Sequence, residues 1–488
     1  MNKILIAACA ALLLFSCTSK TPTNRPLSEI FSDINRNVTA HSSGYDDLRE
    51  ATSTIGHRLT GSENGAKAEV FVLEKFRKYG FEDATYLPFE VEAWARKSIS
   101  LDIMSDDTSF SLKTVALAHS PVHADVQGQL IFAGSGLRKD LKKLGDAIRG
   151  NIILANIGLE PQDSTEKNLH RSEKTALAID FGAAGVILYN RVEGNILLTG
   201  TASVTGELNP IPAANISWED GQMLKDLMNQ GKQLSAHLAM ENASNIIKAR
   251  NVVATLRGSG KPEEVILIGG HLDSWDLATG AIDNGIGSFT VLDIARTFKS
   301  AGLHPERTIQ FVMFMGEEQG LLGSKYMAQQ MIASGEIDKL RYIINLDMSG
   351  NPKGFSWSGR EEMKDFFNHI GTTIQTIDST FSNEGNAKSG LHSDHFPFML
   401  EGIPVLGMIS NMNDSIYKYY HSNGDDFNLI DKSWMVNGTR YTAMALYALA
   451  DADSIPAGKL NSDEAKEFFI RQGFKEEMVV GKTWKWEE

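Results

Sequence analysis

Between residues 251 and 346 the chain alternates strand-like and helix-like segments. Apolar runs at 251–256, 264–268, 308–314 and 341–346 enclose one helical stretch at 288–299 and another opening at Gly320. Short Ile/Val/Leu strands joined through helices predict an α/β fold, a mostly parallel central sheet with helices on both faces. Phe289, Leu292, Ala295 and Phe298 recur at helical spacing and mark the buried face of the first helix. In open sheets of this kind, chemistry collects in the loops beyond the C-terminal ends of the strands.

Those loops carry an ordered set of ligand-type residues. The strand Ile266-Leu267-Ile268-Gly269-Gly270 delivers His271, with Asp273 two positions on. A metal-ligating imidazole needs its second nitrogen held by an acceptor, and H-x-D can supply one. Gly280-Ala281-Ile282-Asp283-Asn284-Gly285 sets a carboxylate just before a helix, where it could serve as an N-cap or bridge two cations. The next strand ends in Gly316-Glu317-Glu318-Gln319-Gly320. Adjacent carboxylates repel unless a cation or a proton compensates them. A division of labour follows, one ligating metal and its neighbour taking a proton from water. Ile343-Ile344-Asn345-Leu346 then delivers Asp347, and Tyr419-Tyr420-His421 supplies a second histidine. Each residue alone has an ordinary structural explanation. The order H-x-D, D-N-G, E-E, D, H across successive strand ends does not. Imidazole with carboxylate fits zinc, with Co2+ or Mn2+ as substitutes, and there are more ligands here than one zinc needs.

From Arg96 to Lys248 the texture changes to short β-like runs and glycine turns around one clear helix at 173–181. Arg149-Gly150-Asn151, the run Gly182-Ala183-Ala184-Gly185-Val186-Ile187-Leu188-Tyr189-Asn190 and Ile211-Pro212-Ala213-Ala214-Asn215-Ile216-Ser217 together resemble a protease-associated (PA) domain, a mainly β insertion. With this module inserted, the ligand series resembles the two-zinc aminopeptidase and glutamate carboxypeptidase family, metallopeptidase family twenty-eight. The nearest subgroup is plasma glutamate carboxypeptidase (carboxypeptidase Q). Gly270-His271-Leu272-Asp273-Ser274-Trp275-Asp276, Glu317-Glu318-Gln319-Gly320 and Ile416-Tyr417-Lys418-Tyr419 before His421 carry the likeness, which spans residues 45–452.

The resemblance implies two Zn2+ per subunit. His271, Asp283 and Asp347 would hold one, and Asp283, Glu318 and His421 the other. Asp273 would orient His271, Glu317 would act as general base, and the Asp283–Asn284 peptide becomes a candidate for a cis bond. Implied substrates are dipeptides and short peptides with a free N-terminus. Ser393-Asp394-His395-Phe396-Pro397-Phe398 resembles the family's S-D-H segment but departs from the carboxypeptidase Q pattern. Asp394, His395 and Tyr420 are the candidate substrate contacts, and Asp394 and His395 could instead buttress His421. The inserted module has two roles open to it, capping the cleft or mediating a homodimer. Related folds also include single-zinc glutaminyl cyclases and receptors that have lost their ligands. The complete ligand set and the Glu317-Glu318 pair favour a hydrolase over both.

At the N-terminus, Lys3 and the apolar 4–15 read as an export signal too short to span a bilayer, and Leu14-Phe15-Ser16-Cys17 resembles a bacterial lipobox with Cys17 as the lipidated residue. With Thr18 next, the expected location is the periplasmic side of the outer membrane. The only cysteines, Cys9 and Cys17, lie in this segment, so no disulfide framework supports the remaining chain. A net charge of −14, spread along the sequence, argues against nucleic acid as a partner. The expected organisation is signal peptide 1–16, tether 17–30, catalytic domain 31–95 and 249–455, insertion 96–248, and a tail 456–488 without assignment.

Overall fold

The computed structural model describes residues 25–105 and 108–487, so the export signal and Cys17 lie outside the described residues. The catalytic part opens with α1 (Leu27–His41), α2 (Gly44–Thr54) and α3 (Glu63–Lys78). Helix α1 begins inside the stretch expected to be tether, because Ile30, Phe31, Ile34 and Val38 form an apolar stripe that is buried against the core.

Strand β1 (Thr85–Met104) runs well past residue 96, where the insertion was expected to begin. The insertion then contributes β2 (His123–Phe132), β3 (Ile152–Asn156), α4 (Arg171–Asp180), β4 (Gly185–Tyr189) and β5 (Ala213–Ile216), the strands β2 to β5 pairing in parallel. It returns through β6 (Ser235–Leu256), which pairs antiparallel with β1 from Thr85↔Val253 to Met104↔Ser235. The module boundary expected near residue 96 therefore falls inside a continuous ladder, marked by an irregularity between Arg96 and Ser98. A hydrogen-bonded ribbon holds the insertion where a flexible linker would let it drift.

The central sheet is built on β7 (Lys261–His271), β8 (Arg307–Phe314), β9 (Leu340–Asn345) and β10 (Val405–Ile409). β7 pairs in parallel with β8 and β9, and β9 with β10, whereas β6 joins β8 antiparallel. α5 (Ile286–Ser300) connects β7 to β8, and α6 (Leu322–Ser334) connects β8 to β9 on the far side of β7. The expected apolar face of α5 is buried, and so is every other residue from Ile286 to Phe298. Helix α2 and α7 (Lys432–Asp451) cover its outer side. The polar groups trapped there satisfy one another: Arg296 Nε donates to Asp293 at 2.6 Å, and Ser42 and Thr439 hydroxyls donate to the same carboxylate at 2.6 and 3.0 Å.

The tail folds into α8 (Ser462–Arg471) and α9 (Lys475–Val480). Phe468, Phe469, Phe474 and Met478 share a core with Phe396, Phe398 and Leu391, while Val480 packs with Leu177 and Val186 of the insertion. Lys167 of the insertion pairs with Glu477 at 2.5 Å and donates to the Gly473 carbonyl at 3.2 Å. The tail is thus a clasp across both modules. No helix among the described residues is long and apolar enough to cross a membrane. Phe469 is fully buried in the clasp, so Phe469→Ala should cost about 3–5 kcal/mol in denaturant unfolding. A change within about 0.5 kcal/mol, the surface range, would show that the tail is a dispensable appendage.

Candidate active site

Three neighbouring parallel strands end at one place. In register, His271 at the end of β7 stands beside Phe314 at the end of β8, and Asn345 at the end of β9 stands beside Gly269. The residues that follow, Glu317, Glu318 and Asp347, are therefore carried to the same edge. Gly270 permits the close packing behind them, since a Cβ there would lie 2.5 Å from the Leu346 carbonyl oxygen. Asp283 enters from the turn before α5, and His421 from the loop before α7.

The side chains meet around Asp283. His271 Nε2 lies 3.2 Å from Asp283 Oδ1 and 3.6 Å from Asp347 Oδ1, and His421 Nε2 lies 2.9 Å from both Asp283 Oδ2 and Glu318 Oε2. Each ring is fixed from behind. His271 Nδ1 is 3.1 Å from the Asp273 carbonyl oxygen and 3.6 Å from its carboxylate, so the backbone of Asp273 does the nearer holding. His421 Nδ1 is 3.1 Å from the Thr199 carbonyl oxygen, and Thr199 N–H donates to the His421 carbonyl at 2.8 Å. His421 adopts φ 54°, a conformation unfavourable for a non-glycine residue, and this two-way clamp from the insertion holds it there.

The turn bearing Asp283 is built on buried polar contacts. Asp425 accepts from the N–H groups of Ile282 and Asp283 at 2.7 and 3.0 Å, and Asn284 Nδ2 donates to the Leu346 carbonyl at 2.8 Å. The Asp283–Asn284 peptide is cis. Arg58, wholly buried, donates to the carbonyls of Leu272, Thr279 and Gly280 at 2.6, 2.7 and 2.8 Å. Nothing in the sequence around Arg58 or Asp425 signals these roles beyond the turn glycines, because both act on backbone atoms more than 140 residues away in the chain.

Electrostatically the site lacks positive charge. Burial disfavours the charge on both histidines, yet the surrounding carboxylates push their pKa values up. Asp283 is held below the ordinary carboxylate range because His271 and His421 outweigh its burial. Glu318 is pushed up by burial, and Glu317 well up by burial reinforced by Glu318 and Asp347. Glu318 Oε1, Asp347 Oδ1 and Asp273 Oδ2 are buried without a hydrogen-bond partner. Orphaned carboxylate oxygens facing two imidazoles whose inner nitrogens converge fit divalent cations. His271, Asp283 and Glu318 offer ligand atoms within 4.8 Å of one another, as do His271, Glu317 and Asp347. Mixed nitrogen and oxygen donors without thiolate suit zinc.

These residues border an open cleft. Tyr420 lines it, stacked on His421 at 3.8 Å between ring centroids. Asp394 and His395, the other expected substrate contacts, do not. Asp394 is fully buried, its pKa pushed up to about 7 by that burial, and His395 lies 3.0 Å from the Gly390 carbonyl oxygen. The turn into Phe396-Pro397-Phe398-Met399 keeps both out of the cleft lining and leaves His392 there instead, while Asp394 stays within electrostatic reach of His271 and Asp347 from behind. Two further contributors come from elements distant in sequence: Arg171 of α4, and Glu477 with Thr483 of the tail. Arg171 sits against Gly200, where a Cβ would lie 1.9 Å from its Nε.

A mostly parallel sheet whose strand ends gather histidines and carboxylates beside a cleft defines a metallopeptidase. Residues 251–446 match the model of peptidase family M28 and residues 123–224 that of the PA domain. Over these spans the chain is similar to the peptidases of family M28, with an inserted PA domain. It is 27% identical to carboxypeptidase Q of Mus musculus over 84% of this chain and 86% of that one. Its fold is that of a peptidase M28 precursor from Shewanella amazonensis (TM-score 0.77, 24% identity, 89% and 99% of the two chains). It also resembles a zinc aminopeptidase from Bacillus subtilis (TM-score 0.63, 22% identity, 86% and 98%).

Asp283 is the one carboxylate within 3.2 Å of both histidines. Asp283→Ala should therefore lose most of the metal that the unaltered protein retains after zinc loading and dialysis. Elemental analysis giving equal metal content for the two would remove Asp283 from the ligand set.

Proposed function

We propose that this peptidase is a zinc-dependent exopeptidase, an aminopeptidase or dipeptidase that hydrolyses short peptides with a free N-terminus. The observation that carries this reading is Asp283, whose two oxygens face His271 and His421 separately, with Asp347 and Glu318 completing the two sides. His271, Asp283 and Asp347 would hold one ion, and Asp283, Glu318 and His421 the other. Ions held there would supply activation of water and polarisation of the scissile carbonyl.

The chain's own groups perform the rest. Glu317 lines the cleft beside Glu318 and, among the described residues, forms no ion pair with either histidine, which leaves it available as the base. It accepts the proton of the attacking water and returns it to the leaving amine. Asp273 positions His271 from behind and is itself tied to the catalytic turn, accepting from the Glu317 N–H at 3.3 Å. The cleft is walled by the insertion and by the tail clasp, which supports action on chain ends over action within long polypeptides. The B. subtilis relative's description as a zinc aminopeptidase supports the same choice of metal and polarity.

Glu317→Gln keeps the shape and removes the base. It should leave zinc content unchanged and lower kcat by roughly 10²–10⁴-fold. Unaltered peptide hydrolysis by this variant would reject Glu317 as the base.

For cellular placement, we propose that Cys17 is lipidated after removal of residues 1–16 and tethers the enzyme to the periplasmic face of the outer membrane. Leu14-Phe15-Ser16-Cys17 followed by Thr18 supports this. Cys17→Ser should shift the protein from the membrane to the soluble fraction in a bacterial host. Retention with membranes at the original level would reject the anchor.

A further inference from the structure

Buried cations in this protein have acceptors supplied by the fold. Arg58 has three carbonyls, Lys174 has the carbonyls of Asn156, Ile157 and Gly158, Lys75 has Asp47 and Glu50, and Arg250 has Glu69. Among the described residues Lys325, like the Nε of Arg171, departs from this pattern. It lies in the first turn of α6, eight residues after Glu317, and lines the same cleft as the metal-ligand cluster. Among the described residues its ammonium makes no ion pair and no hydrogen bond, although its backbone N–H continues the helix by donating to Leu321. The cleft it lines also carries the apolar side chains of Leu321, Leu391 and Phe396. Burial alone lowers its pKa, with no carboxylate acting in the other direction.

Among the described residues no acidic group on the cleft forms an ion pair with Lys325, and Glu317 and Asp347 belong to the metal-ligand cluster. Glu477 is held by Lys167 and His392, and Asp283 and Glu318 face the two histidines. The other cation on the cleft, Arg171, belongs to the side of Tyr420 and His421. A half-buried ammonium in an apolar wall is costly unless an anion meets it. Here the open direction is the cleft.

We propose that Lys325 is a specificity-determining residue that binds a carboxylate of the peptide substrate. This rests on the peptidase reading of the cleft. A carboxylate reaches such a site from two sources, the C-terminal α-carboxylate of a short peptide or an acidic side chain. A contact of this kind distinguishes a charged from a neutral ligand by about tenfold or more, through a charge-assisted hydrogen bond in a partly dry wall.

The test uses the full chain loaded with zinc, in the Glu317→Gln background, where binding is read by calorimetry without turnover. Leu-Ala is compared with Leu-Ala-amide, and Leu-Glu-amide with Leu-Gln-amide. One pair should show a Kd ratio of about ten or more in favour of the carboxylate. Adding Lys325→Met should bring that ratio to about one, and Lys325→Glu should reverse it. Loss of preference in the first pair assigns the α-carboxylate, and in the second the acidic side chain. An unchanged ratio in Lys325→Met, or no carboxylate preference in the parent, overturns the proposal. Turnover by the unaltered enzyme is measured in parallel. Peptides that bind with a Lys325-dependent preference but are never cleaved would sink the peptidase reading and leave the carboxylate site standing.

Discussion

Everything in the catalytic module is arranged around a repulsion. Asp283, Glu317, Glu318 and Asp347 are brought together in a buried pocket at the ends of parallel strands, where like charges are least tolerable. The two histidines relieve part of it, and their raised pKa values show the site drawing in positive charge. Divalent cations would complete the compensation. The scaffold behind the cluster keeps the carboxylates from swinging apart: Asp425 and Asn284 secure the Asp283 turn, and Arg58 ties three loop carbonyls together.

That scaffold does not stop at the catalytic module. Thr199 of the insertion clamps His421 by two backbone contacts, and Arg171 reaches the same corner. The β1/β6 ribbon makes such long-range precision feasible, since a continuous antiparallel ladder joins the modules. The tail adds a second strap, with Val480 buried among insertion residues and Lys167 paired to Glu477. The cleft is thus a composite of three sequence-distant regions, and its walls are held as firmly as its floor.

Legibility in the sequence followed the range of the forces involved. The strands at 264–268, 308–314 and 341–346 and the helix at 288–299 were readable because apolar periodicity is a local property. The ligand residues were readable because strand ends in a parallel sheet converge on one edge, so order along the chain became position in space. By contrast, α1 and the tail helices carry ordinary amphipathic patterns whose burial depends on surfaces the chain makes elsewhere. The complete burial of α5 was hidden for the same reason. Asp394 and His395 were expected at the substrate but do not line the cleft, because a motif does not show which way a following turn will carry it.

The sequence by itself determined the fold class, the presence of a PA insertion and the identity of the residues that gather at the strand ends. These depend on residue type and spacing, which chemistry constrains directly. Only the tertiary structure decided that the Asp273 backbone is the nearer hold on His271, that Thr199 clamps His421, that His392 lines the cleft in place of His395, and that Lys325 lacks an internal counterion. Those outcomes depend on which backbone and side-chain atoms from distant segments come within a few ångströms of each other. Hydrogen-bond and ion-pair energies fall off over such distances, and no local pattern encodes them.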